Sequence, residues 1–319
     1  MIMIEFLLFV VGLTALTLGA DWLVTGASRV AAQRGVSPLL VGLTIVAFGT
    51  SAPELVVSSA AALRAQGGIA VGNVMGSTVA NVGLIVGLGA LIRPIKVHRK
   101  LLYREGPMMV LVLAAVMVLA YNGTIGRVDA LILIGGFSIY LAYLVRWGKH
   151  ETESEVFREA SEEFEAVGVL DGRRPLVNWL RVAFGLGLLL AGANWLVEAA
   201  VELARQYRIS EEVIGATMVA VGTSLPELAS TVAAAARGLG DIAIGNVIGS
   251  NIFNLGLVLG VAGLLSPLHL SSPLVVTQVV PALIFCMVLM PLAYTGRRVN
   301  RWEGGFLLAG YATFIAVIL

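Results

Sequence analysis

The sequence predicts an all-α polytopic membrane protein of ten transmembrane helices, built as two inverted five-helix repeats with broken helices around a central site. Three observations carry this. Hydrophobic residues fill 58% of the 319 positions and charged residues only 13%, whereas soluble domains are about a quarter charged. Apolar stretches recur along the chain, on the scale of the roughly 20 residues needed to cross a bilayer. The second half also repeats the first at an offset of 173 residues. So few charges cannot cover a water-exposed surface, which excludes a soluble enzyme. With 21 Lys and Arg against 20 Asp and Glu, no basic excess remains for nucleic acid.

Taken in order, the expected spans lie near 2–32, 37–64, 69–92, 107–121 and 128–146, and then near 176–205, 210–236, 242–265, 273–294 and 302–319. The first carries Glu5 where a signal peptide would carry basic residues, so it reads as a retained helix. Between the sets, 147–173 holds Glu151, Glu153, Glu155, Glu159, Glu162, Glu163, Glu165 and Asp171. Without Ca²⁺-loop spacing, this reads as a solvated acidic linker. With the N-terminus outside, 17 basic residues fall in inner loops and only Arg64, Arg127, Arg205 and Arg208 in outer ones. The positive-inside rule thus puts both termini outside and the linker in the cytoplasm of a multi-pass cell-membrane protein. Trp147, Trp179 and Trp302 then stand at inner helix ends as interfacial anchors.

The repeat is strongest between 42–92 and 215–265, where 27 of 51 positions are identical without a gap. The same offset aligns Gly19-Ala20-Asp21-Trp22 with Gly192-Ala193-Asn194-Trp195. Residues 1–146 therefore correspond to 174–319. Each unit has five crossings, an odd number, so the second enters the membrane inverted. Inverted repeats with interrupted helices are the architecture of secondary transporters, with the site near the midplane.

The carboxylates deep within spans and matched between repeats are Glu54 and Glu227, in Gly49-Thr50-Ser51-Ala52-Pro53-Glu54 and Gly222-Thr223-Ser224-Leu225-Pro226-Glu227. A charge at mid-bilayer costs about 2.5–3.5 kcal/mol even on the lenient insertion scale. No Lys or Arg lies at that depth, so bound cations or protons must supply the compensating charge. Pro53 and Pro226 each remove an amide donor, freeing carbonyls around Gly49 and Gly222. The carbonyls of Ala47, Thr50, Ala220 and Thr223 can then face an ion, beside the hydroxyls of Ser51 and Ser224. The next helices bring Gly72-Asn73-x-x-Gly76-Ser77-x-x-x-Asn81 and Gly245-Asn246-x-x-Gly249-Ser250-x-x-x-Asn254. The four-residue spacing puts Ser77 with Asn81, and Ser250 with Asn254, on one face. Asn73, Asn246 and Asn251 fit ion ligation and plain interhelical hydrogen bonding equally well.

This cage is all oxygen. His98, His150 and His269 fall in loops and Cys286 in an apolar run, so a soft-metal site is not expected. Flexible oxygen cages suit Ca²⁺ and Na⁺, whereas Mg²⁺ dehydrates reluctantly. Two carboxylates balance one Ca²⁺ or two Na⁺, and competition of that kind is what exchange requires. No cofactor, protein partner or enzymatic activity is expected, and the chain reads as a monomer in lipid.

The paired motifs resemble those of the sodium/calcium exchangers of the cation/Ca²⁺ antiporter superfamily, in their prokaryotic form, over the whole chain. The resemblance implies a Na⁺/Ca²⁺ antiporter working by alternating access, its first and sixth helices sliding across a fixed bundle. It implies a central Ca²⁺ site at Glu54, Glu227, Thr50 and Thr223. Flanking Na⁺ sites would use Ala47, Ser51 and Ser250 on one side and Ala220, Ser224 and Ser77 on the other. Some prokaryotic relatives and the K⁺-dependent branch carry Asp where this chain has Asn254, so no K⁺ requirement is implied. The alternative is a Ca²⁺/H⁺ antiporter using the same two glutamates.

Overall fold

The computed structural model describes residues 2–34, 36–148, 175–206 and 220–318. The acidic segment with its eight carboxylates lies outside the described residues, as do Lys149, His150 and Arg208. The first repeat opens with α1 (Ile2–Arg34). A broken span follows: α2 (Pro38–Val41), a π-helical turn (Gly42–Val46), α3 (Ala47–Thr50) and α4 (Ala52–Leu63). Its two halves are bent by 46°. Next, α5 (Gly67–Ala80) runs through a π-helical turn (Asn81–Val86) into α6 (Gly87–Ile92), then β1 (Ile95–Lys96). A third π-helical turn (Leu101–Glu105) opens α7 (Gly106–Leu119), ahead of β2 (Thr124–Ile125) and α8 (Arg127–Gly148).

The second repeat retraces this order. It comprises α9 (Pro175–Gln206), α10 (Ala220–Thr223), α11 (Leu225–Arg237), and α12 (Gly240–Phe253) leading through a π-helical turn (Asn254–Val258) into α13 (Leu259–Leu265). Then come β3 (Leu268–His269), α14 (Ser272–Leu274), a π-helical turn (Val275–Val279), α15 (Val280–Tyr294), β4 (Arg298–Val299) and α16 (Arg301–Ile318). Among the described residues, seven helices are long and apolar enough to cross a membrane, or eight with the bent pair taken as one span. The expected span at 210–236 is described only from Ala220. In α16, Arg301 and Glu303 occupy the first turn.

Two pairs of π-helical turns stand in equivalent places, Asn81–Val86 with Asn254–Val258 and Leu101–Glu105 with Val275–Val279, and the second pair has a local cause. Pro107 and Pro281 each stand two residues past such a turn. A proline ring lacks the amide and crowds the carbonyl four residues back, so the preceding turn widens.

The repeats interlock extensively, three of the seams being one long helix pair and two strand pairs. The long helices α1 and α9 lie against each other with glycines at the crossing. A Cβ on Gly12 would fall 3.1 Å from the Gly192 carbonyl, and one on Gly19 2.7 Å from that of Gly185. One on Gly26 would meet the Asn178 carbonyl at 2.9 Å. Only residues without a side chain let two backbones approach this closely. The other two of these seams are short antiparallel strand pairs, β1 with β4 and β2 with β3, each joining one repeat to the other. Arg93 reaches the Ala236 carbonyl at one end of the bundle, and Gly67 packs near Leu268 at the other. Segments read from sequence as inner therefore meet one another, and so do those read as outer.

The constant offset of 173 needs one correction. Arg127 and Arg301 open equivalent helices 174 residues apart. The offset already reads 174 at the π-helical turns Leu101–Glu105 and Val275–Val279, so the extra residue lies ahead of them, in α14. Further on, Gly296 (φ 67°) and Arg297 (φ 53°) both take left-handed backbone. In the first repeat Gly123 (φ 80°) turns the chain alone.

Candidate functional site

Each broken span stops at a serine with nearly identical backbone, Ser51 at φ −83°, ψ 8° and Ser224 at φ −89°, ψ 1°. A new half-helix begins one residue later, with Pro53 or Pro226 at its start and Glu54 or Glu227 in its first turn. That position suits both parts. Proline's missing amide is harmless at a helix start, and the partial positive charge of the N-terminus favours a carboxylate. The proline also deprives the carbonyl four residues back, Gly49 or Gly222, of its helical donor. The Ala47 carbonyl keeps a donor, the Ser51 amide at 3.0 Å.

Both glutamates are fully buried. Thr50, Ser51, Ser77, Asn81, Thr223, Ser224, Ser250 and Asn254 are buried as well. Ala47 is buried on α3, and Ala220 opens the equivalent α10. The structure thus buries the polar side chains singled out by sequence.

Hydrogen bonds tie them across the repeats, many in mirrored pairs. Thr50 donates to Asn246 Oδ1 at 3.3 Å, and Thr223 to Asn73 Oδ1 at 3.4 Å. Asn73 donates to Ser58 at 3.0 Å and Asn246 to Thr231 at 2.9 Å. Both asparagines also reach the main-chain carbonyl of the glutamate in their own repeat, Glu54 or Glu227, at 3.4 Å. Asn73 and Asn246, left open by sequence, are therefore braces. They fasten the start of each half-helix to the helix that follows it and to the break in the other repeat. Ser58 and Thr231, the anchors of these braces, were missed. The available signal was their place four residues after each glutamate, at the same offset of 173.

Other contacts break the mirror. Ser51 donates to Glu227 Oε1 at 2.9 Å, while Ser224 donates to Ser77, whose hydroxyl lies 3.5 Å from Glu54 Oε1. What remains is a set of buried polar atoms with no hydrogen-bond partner: Glu54 Oε2, Glu227 Oε2, Asn81 Oδ1, Ser250 Oγ, and both Asn254 side-chain atoms. A buried carboxylate without compensation is costly, and buried polar groups are nearly always satisfied. All but one of these atoms are oxygens. The donor set is that of a hard cation cage, with two carboxylates completed by hydroxyl, amide and main-chain oxygens. Among the described residues no group of three or more His, Cys, Asp and Glu stands together. His98 lies in a loop, whereas His269, expected in a loop, belongs to strand β3 and pairs with Thr124.

Comparison with known proteins fits this geometry. The family profile described as sodium/calcium exchanger protein matches residues 4–146 and 177–319, the two repeats. The sodium/calcium exchanger MaX1 of Methanosarcina acetivorans is 35% identical over 347 residues, covering 100% of this chain and 99% of its own. The putative antiporter CaxA of Alkalimonas amylolytica is 37% identical over 308 residues, 94% of each chain. A solved structure of the sodium-calcium exchanger NCX_Mj, soaked with Na⁺ and Ca²⁺, superposes over the full length of both chains with a TM-score of 0.85 at 33% identity. Paired glutamates at mirrored helix breaks and matches over both repeats lead to one conclusion: the chain belongs to the sodium/calcium exchanger family.

Proposed function

We propose that this cation/Ca²⁺ antiporter exchanges Na⁺ for Ca²⁺ by alternating access, with Ca²⁺ held between Glu54 and Glu227. The observation that carries the reading is the group of buried, unpartnered oxygens around two uncompensated carboxylates. One Ca²⁺ would satisfy both charges and draw on six to eight oxygens, with Thr50 and Thr223 as the nearest additional ligands. Na⁺ would occupy flanking positions beside Ala47, Ser51 and Ser250, and beside Ala220, Ser224 and Ser77, with Asn81 and Asn254 completing the middle. The two glutamates can neutralise one Ca²⁺ or two Na⁺ but not both loads, and that competition makes the transport an exchange.

The rest of the reading is a ten-helix monomer in the cell membrane, both termini outside and the acidic linker cytoplasmic. The meeting of inner with inner segments and outer with outer supports the alternation of the spans, and the positive-inside rule gives the side. One-sided packing of the long helices supports alternating access. On the inner half, α1 lies along α11, and Asp21 pairs with Arg237 there. Its counterpart α9 barely touches α4, and Asn194 stands where the matching carboxylate would be.

The test is uptake of radiolabelled Ca²⁺ into proteoliposomes. Vesicles loaded with Na⁺ and diluted into Na⁺-free buffer should accumulate Ca²⁺. Uptake driven equally well by a pH gradient with Na⁺ absent throughout would instead identify a Ca²⁺/H⁺ antiporter. Uptake without any counter-ion would identify a channel.

A further inference from the structure

Asn81 and Asn254 occupy equivalent positions, each the first residue of a π-helical turn, yet their amides are held differently. Neither side-chain atom of Asn254 has a partner. Asn81 donates its Nδ2 to Oδ1 of Asn251 at 2.9 Å, while its own Oδ1 stays buried and unpartnered. Asn251 donates its Nδ2 to the sulfur of Met109 at 3.2 Å. Asn81 lies one helical turn beyond Ser77, the residue beside Glu54, so its amide belongs to the face that carries the ion cage.

The direction of this chain follows from the sulfur. A thioether is a weak acceptor and has no hydrogen to give, so the end of Asn251 that meets Met109 must be its NH₂. The carbonyl of Asn251 then faces Asn81, and Asn81 can answer a carbonyl only with its own NH₂. The free end of Asn81 is therefore an oxygen, the end a cation needs. In the first repeat the position of Asn251 is held by Thr78, whose hydroxyl is taken by the Val74 carbonyl at 2.8 Å, so Asn254 has no such guide.

We propose that Asn251 is a positioning residue for ion binding: anchored on Met109, it fixes the Asn81 amide with its oxygen turned toward the cation. The inference rests on reading Asn81 as an ion ligand. Outer partners that orient a metal ligand are worth about 10- to 100-fold in affinity.

The experiment is Na⁺-driven Ca²⁺ uptake by the full-length protein in proteoliposomes. The apparent KM for Ca²⁺ and the maximal rate are measured for wild type, Asn81→Ala, Asn251→Leu and the double variant. Asn251→Leu should raise KM about ten-fold with the maximal rate within about two-fold of wild type. The double variant should be no worse than Asn81→Ala, because residues acting through one interaction are not additive. Met109→Leu keeps the volume but removes the acceptor. It should raise KM in the same direction by a smaller factor, and it carries the test if Asn251→Leu does not fold. An unchanged KM in Asn81→Ala would overturn the reading of Asn81 as a ligand. A raised KM there, with Asn251→Leu and Met109→Leu both like wild type, would overturn the positioning role alone. Additive losses in the double variant would also overturn it, by showing that Asn251 acts elsewhere.

Discussion

The two halves of the site share a motif but not a surrounding. Around Glu54 and Glu227 the backbone breaks agree within a few degrees, and the Asn73 and Asn246 braces agree within about 0.1 Å. Away from the braces the halves diverge. One serine bonds a glutamate while its twin bonds another serine. One amide is anchored while its twin is unpartnered. One long helix covers the half-helix of the opposite repeat, and the other does not. The difference teaches where symmetry is needed. Local sequence repeats the glutamate breaks and their braces in both halves, and tertiary packing breaks the mirror around them, as the proposed alternating access requires.

The largest expected effect tests the symmetric part. Glu54→Gln and Glu227→Gln should each reduce Ca²⁺ uptake about 100-fold or more, in line with the 2–5 kcal/mol lost when a buried charge is left uncompensated. If either variant transports normally while the other is dead, the two glutamates are not equivalent and the shared-ion reading fails. Next comes the helix seam. Gly19→Ala drives a Cβ into the α9 backbone and should cost about 1–3 kcal/mol of stability, the usual penalty of overpacking. Gly187→Ala, on α9 with nothing within 4 Å, should leave the thermal midpoint in detergent unchanged or slightly raised. Equal midpoints for the two variants would show that the seam is not tight.

Smaller effects probe the asymmetric contacts. Asp21→Asn gives α1 the residue found at Asn194 and removes the pair with Arg237. Both partners are partly exposed, and such pairs are worth about 0–1 kcal/mol. The ratio of apparent Ca²⁺ affinities measured from the two sides of oriented vesicles should therefore shift by a few-fold at most. No shift would mean that the pair does not bias the closed side. Deleting 151–171 should have the smallest effect, leaving exchange kinetics intact. A marked change in Ca²⁺ dependence would give the acidic linker a regulatory role.

Much of this was legible from sequence because it is local or repeated. The gapless match over 51 positions exposed the two units, and proline beside a buried glutamate located both breaks. The orientations of Asn81 and Asn251 were not legible, since they depend on a sulfur from a helix 142 residues away. Nor were the π-helical turns at Asn81 and Asn254, because no residue preference marks a widened turn when proline is absent. The roles of Asn73 and Asn246 were undecidable until Ser58 and Thr231 were seen beside them. The one-residue slip ahead of Val275 was not legible either, because Tyr121-x-Gly123 and Tyr294-x-Gly296 still match at 173 beyond it.

The glycine seam has a consequence for leakage. Gly12, Gly19 and Gly26 recur every seven residues on α1, and Gly185 and Gly192 do the same on α9. Backbone seats on backbone in one register, and a shift by one helical turn, about 5.4 Å, would drive Leu16, Leu23 and Leu189 out of their seats. The two helices therefore make one stiff rod. Under the proposed alternating access, two doors hung on a single rod could not swing open together, and such an airlock would need no further part to keep an ion gradient from draining through it.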